Sequence, residues 1–85
     1  MYHLRYKKTA LKAIRRLPPP ARLRILTALE HLAAQPGDPT LDVCPLQGCN
    51  GYRLRVGQWR IIYHRDNDDL VILVVDVGSR GDIYK

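Results

Sequence analysis

An 85-residue chain with two cysteines and 46% hydrophobic residues has room for one small domain, residues 1–85, with a modest core and no disulfide framework. Ten arginines and four lysines against eight acids leave a formal net charge of +6, which points to an anionic partner such as nucleic acid or an acidic protein. No apolar run reaches the roughly 18 residues of a membrane span, and the N-terminus lacks a signal-peptide core, so the expectation is a cytoplasmic protein with no membrane role.

The charge is unevenly spread. Residues 1–40 carry eight basic and two acidic groups, whereas residues 41–85 carry six of each. In chain order, His3-Leu4-Arg5-Tyr6 alternates briefly and predicts a first strand. Thr9 is placed to cap a short helix with Ala10, Leu11, Ile14 and Leu17 on one side. Pro18-Pro19-Pro20 ends that helix, and Pro20 fits the first turn of a second one. Ile25, Ala28, Leu29 and Leu32 form the apolar stripe of the second helix, with Arg22, Arg24 and Glu30 outside it, and Pro36-Gly37 stops it. Residues 36–50, rich in Pro, Gly, Asp and Asn, predict an irregular connection. Cys44 and Cys49 fall here and read as reduced thiols. A metal site would need two more ligands that no suitably spaced Cys or His supplies, so neither metal nor cofactor is expected.

The segment from Gly51 to Tyr63 alternates twice around Gly57-Gln58. Glycine at the first central position of a two-residue turn is the type II′ hairpin signal. That turn sets Val56 opposite Trp59, Arg55 opposite Arg60 and Leu54 opposite Ile61. Arg53, Arg55 and Arg60 then share one face, and Leu54, Val56, Trp59, Ile61 and Tyr63 the other, with Tyr52 on the same parity. After the polar turn Asp66-Asn67-Asp68-Asp69, the apolar run from Leu70 to Val77 predicts a central strand covered on both faces. The order β-α-α-β-β-β predicts an α+β fold: a small, mostly antiparallel sheet with a helical hairpin on one face and the other face open.

No nucleotide-binding loop, nucleophile elbow or metal-binding His pair is present. Two arginines opposite each other repel, and a polyanion turns that penalty into binding energy. Guanidinium groups grip phosphate in bidentate geometry but, always protonated, do not serve as bases. Arg80, after the last strand, is a fourth candidate, and Tyr84, four residues beyond it, is the proton-transfer candidate. His64 shares the strand face of Arg60 but stands four residues on, roughly 13 Å away. His31 reads as a surface residue of the second helix. The acids Asp66, Asp68, Asp69, Asp76 and Asp82 offer the arginines local counter-charges.

At this hairpin the sequence resembles the RelE/ParE superfamily of toxins from toxin–antitoxin pairs. The resemblance is carried by Ala10-Leu11-Lys12, Pro45-Leu46-Gln47-Gly48, Gly51-Tyr52-Arg53-Leu54-Arg55-Val56-Gly57, Trp59-Arg60-Ile61-Ile62-Tyr63, Val77-Gly78-Ser79-Arg80 and Ile83-Tyr84. It implies a ribosome-dependent, metal-independent mRNA endonuclease, or mRNA interferase. In that activity the RNA 2′-hydroxyl attacks the adjacent phosphate, leaving a cyclic phosphate and a free 5′-hydroxyl. The implied catalytic set is Arg53, Arg55, Arg60, Arg80 and Tyr84, and the implied partners are a cognate antitoxin, the ribosomal decoding site and mRNA. The best-known bacterial members carry lysines where Arg53 and Arg55 stand, which shifts proton transfer here toward Tyr84, whose other implied role is base stacking, or a ribosomal group. Two other readings stay open: a ParE-like inhibitor of DNA gyrase without nuclease activity, and a non-catalytic basic module for RNA or protein.

Overall fold

The structure is a computed structural model that describes residues 1–46 and 51–79. Cys49, the Gln47-Gly48 pair, Arg80 and Tyr84 lie outside the described residues. The elements are β1 (His3–Tyr6), α1 (Lys8–Arg15), α2 (Pro19–Ala34), β2 (Asp42–Pro45), β3 (Gly51–Val56), β4 (Trp59–Asp66) and β5 (Val71–Ser79). They build one five-stranded sheet in the order β1-β5-β4-β3-β2, in which only the β1–β5 pair is parallel. Both helices pack on one face of it, as the element order predicts.

The helices form for the expected reasons, with two corrections at their ends. Pro19 and Pro20 occupy the first two positions of α2, where the missing N–H groups are not needed. Ile25, Leu29 and Leu32 are buried along its stripe. In α1 the capping position is Lys7, not Thr9. Thr9 instead donates its hydroxyl to the carbonyl of Val75, 3.2 Å away. That carbonyl belongs to a β-bulge. Ile62 pairs with Asp76 and the next residue, Tyr63, with Val74, so Val75 is the extra residue of β5. Of the first helix's apolar set, Ala10 and Ile14 face the core, Leu17 is buried just past the helix end, and Leu11 is exposed. Arg22 is more than a solvated residue: its Nη2 donates to the carbonyls of Arg15 and Leu17, each at 3.2 Å, closing the end of α1.

The core lies between helices and sheet. Ala10, Ile14, Ile25, Leu29 and Leu32 meet Leu54, Ile61, Tyr63, Ile72, Val74 and Val77. The bulge lets Val74 and Val77, an odd number of residues apart, both face inward. β5 is an interior strand, but among the described residues only one of its faces is covered: Val71, Leu73 and Val75 are half-exposed, against the expectation of two covered faces. The irregular connection also contains an element. Asp42–Pro45 forms a short edge strand against β3, with Pro45 at its end, where a missing donor is tolerated.

Candidate functional site

The hairpin positions the site. Gly57 has φ +60° and Gln58 has no positive φ, the pattern of a type II′ turn. The register is the predicted one: Val56 faces Trp59, Arg55 faces Arg60, Leu54 faces Ile61 and Tyr52 faces Tyr63. Leu54, Ile61 and Tyr63 go into the core, and Tyr52 stacks on Tyr63 with ring centroids 5.5 Å apart. Alternation therefore turns Arg53, Arg55 and Arg60 to the open face.

Two rows cross that face. One runs Asp42, Arg55, Arg60, Gly78 and the next Cys44, Arg53, Ile62, Asp76, each residue paired with its neighbour across the strands. Arg55 and Arg60 sit one step back from the turn, at the non-hydrogen-bonded pair, where opposed Cα atoms come to about 4.5 Å. With Gly57 and Gln58 they line a shallow hollow of about 350 Å³. The arginines are not sealed away: among the described residues no charged side chain is buried. Among the described residues Arg55 has one acidic neighbour, Asp42, at 3.8 Å, with both side chains about half exposed. Such a pair is worth under about 1 kcal/mol and leaves the guanidinium available to a phosphate.

The other acids near the sheet have local work. Asp66 accepts the backbone N–H groups of Asp68 and Asp69 at 3.0 Å, and Asp76 that of Val77 at 2.8 Å. Among the described residues, proton-transfer groups are sparse on the open face. His64 is exposed there, opposite Gly51 and Leu73 and four residues from Arg60. Burial pushes the Tyr63 phenol up to about 12, and it belongs to the core side. His31 is partly exposed and meets Asp38 at 2.7 Å, far along the chain from the hairpin. Among the described residues no three His, Cys, Asp or Glu side chains cluster as metal ligands would.

The arrangement thus brings together Arg53, Arg55 and Arg60, while Arg80 and Tyr84 lie outside the described residues. It can grip an anion, and its permanent cations can stabilise extra charge on a phosphate under attack. Two neighbours were not legible in the sequence. Asp42 arrives through the unpredicted strand β2. Arg24 of α2 reaches the hairpin turn, with Nη2 3.0 Å from the point a Gly57 Cβ would occupy. Neither approach leaves a local signal, because both depend on elements meeting in space.

Two helices against such a sheet is the architecture of the RelE toxins. The chain is similar to one in the archaeal RelE–RelB complex from Pyrococcus horikoshii, with TM-score 0.82 and 30% identity over 95% of this chain and 97% of that one. It is similar to one in the RelB–RelE antitoxin–toxin complex from Methanococcus jannaschii, with TM-score 0.76 and 29% identity over 94% of each. It is also 26% identical to a RelE-like toxin protein of Escherichia coli, over 98% of this chain and 90% of that protein. The family described as the ParE toxin of the type II toxin–antitoxin system, parDE, matches residues 4–84, and the chain belongs to it, within the RelE/ParE superfamily.

Proposed function

We propose that this protein, a single domain over residues 1–85, is a toxin that cleaves mRNA in the decoding site of the bacterial or archaeal ribosome. A cognate antitoxin holds it inactive in the cytoplasm. The observation that carries the reading is the grouping of Arg53, Arg55 and Arg60 on the open face, with Arg55 and Arg60 lining one hollow. The 2′-hydroxyl of RNA is a built-in nucleophile, so the protein's task is positioning and charge stabilisation. The 2′-oxygen forms a bond to the adjacent phosphorus as the bond to the 5′-oxygen breaks. A cyclic phosphate and a free 5′-hydroxyl result.

In this scheme the guanidinium groups hold the non-bridging oxygens through the transition state, and so no metal is called for. Arg80 joins them. Tyr84, or a ribosomal group, removes the 2′ proton, and the leaving 5′-oxygen takes one up. No arginine serves as the base, since a guanidinium is always protonated. The antitoxin partner rests on the similarity to chains solved as RelE–RelB complexes. An antitoxin segment laid across the cationic face, or displacing the C-terminal segment, would block RNA. Among the described residues no helix is long and apolar enough to cross a membrane.

The ParE name of the matching family favours a second reading, poisoning of DNA gyrase without nuclease activity. Expression of the chain with a reporter mRNA on translating ribosomes separates the two. Cuts at the decoding site are the expected result. Growth arrest with intact mRNA and gyrase trapped on DNA would replace this reading with the second, and neither cuts nor arrest would leave a non-catalytic binding module.

A further inference from the structure

Arg24 stands one position before the buried Ile25 on α2, and the helix pattern gives it no task. Its guanidinium nevertheless lies against the hairpin turn. From the position of a Gly57 Cβ, Nη2 is 3.0 Å away and Cζ and Nη1 are each 3.5 Å away. The same glycine, with Gln58, walls the hollow between Arg55 and Arg60. A guanidinium has five N–H donors, and among the described residues Arg24 makes no ion pair or hydrogen bond of its own. A third cation is thus parked at the tip of the hairpin, on the helix side, next to a site that already sets two like charges face to face.

We propose that Arg24 is a further phosphate-binding residue of this site. It holds the next phosphate along an RNA strand from the one gripped by Arg55 and Arg60. The inference rests on the RNA reading above and deepens it. A strand that touches both groups must curve over the hairpin tip, from the open face toward the helices. Single-stranded RNA bends that sharply, whereas a DNA duplex, with a persistence length of about 150 base pairs, does not. The geometry therefore selects a flexible single strand. Gly57 contributes by leaving room, since a side chain there would displace the guanidinium.

The test is binding of a short 2′-O-methyl oligoribonucleotide, whose nucleophile is blocked, by the full chain across a range of salt concentrations. Arg24→Ala is expected to lower the salt slope by about 0.7 and to weaken binding about fivefold near 0.1 M salt, as loss of one phosphate contact requires. Arg24→Lys restores most of the slope. Lys12→Ala, which removes another exposed charge, on α1, leaves slope and affinity unchanged. Thermal midpoints measured alongside separate lost contacts from lost structure. If Arg24→Ala binds like the wild type while Arg60→Ala binds weakly, the role of Arg24 is overturned and the RNA site stands. An equal effect of Lys12→Ala and Arg24→Ala overturns it too, as mere loss of net charge. If neither Arg24→Ala nor Arg60→Ala changes binding, the RNA reading falls and this inference with it.

Discussion

The open face of the sheet has a hollow at each end, and the larger one is the less interesting. At the β4–β5 turn a depression of about 630 Å³ is lined by His64, Arg65, Asp66, Asn67, Asp68, Val71 and Leu73. Three of its polar side chains are already engaged. Asn67 accepts from Tyr2 at 2.7 Å and from Arg65 at 2.8 Å, Arg65 lies over the Tyr2 ring at 5.4 Å, and Asp66 holds two backbone amides. At the hairpin end a hollow of about 350 Å³ pairs Arg55 with Arg60, and the nearest acid to Arg55 is a loose neighbour. One end spends its charges on holding a turn and the N-terminus together. The other keeps them facing outward at a cost in repulsion. Like charges held face to face, more than volume, separate a binding site from a structural dimple.

This contrast can be broken or sharpened by substitution. Asp66→Ala removes the acceptor for two turn amides and is expected to lower stability by about 1–2 kcal/mol, read by denaturant unfolding, with RNA binding unchanged. Gly57→Ala places a side chain at φ +60° and against Arg24. It is expected to cost about 1 kcal/mol or more, and also to weaken RNA binding. Arg55→Thr goes the other way: relief of the cross-strand repulsion should raise stability by roughly 0.2–1 kcal/mol while binding is lost.

The smallest effects are with pH. Tyr63, raised to about 12, ionises later than in the unfolded chain, near 10, so its contribution is whole below about pH 10 and is lost as pH rises through about 12. Tyr63→Phe should flatten that alkaline decline. Asp38 is held down to about 2, first by the backbone N–H of Thr40 and then by His31. Its contribution is whole above about pH 4 and is lost as pH falls through about 2, a decline that Asp38→Asn should remove.

The parts of the molecule legible in the sequence are those whose cause is local. Gly57-Gln58 and the alternation on either side settle the turn, the register and the shared face of Arg53, Arg55 and Arg60 without help from the rest of the chain. Pro18 to Pro20 likewise divide the helices. β2 stays hidden because an edge strand of four residues with only Val43 half-buried has no pattern to read. Val71, Leu73 and Val75 disguise the alternation of β5, since apolar residues also occupy its open side. Thr9 has the right chemistry for a cap, but the bulge at Val75 leaves a carbonyl that claims its hydroxyl. Arg24 meets Gly57 only because α2 crosses the sheet there.

In the proposed reaction the hairpin arginines, and not the turn-end groups, act on an RNA phosphate. Single-turnover cleavage of mRNA on programmed ribosomes, run side by side for the wild type, Arg60→Ala and His64→Ala, tests it most directly. Arg60→Ala is expected to slow cleavage by about 10²–10³-fold, the scale for losing one transition-state charge contact, and His64→Ala to cut at the wild-type rate. A fast Arg60→Ala beside a dead His64→Ala would contradict it.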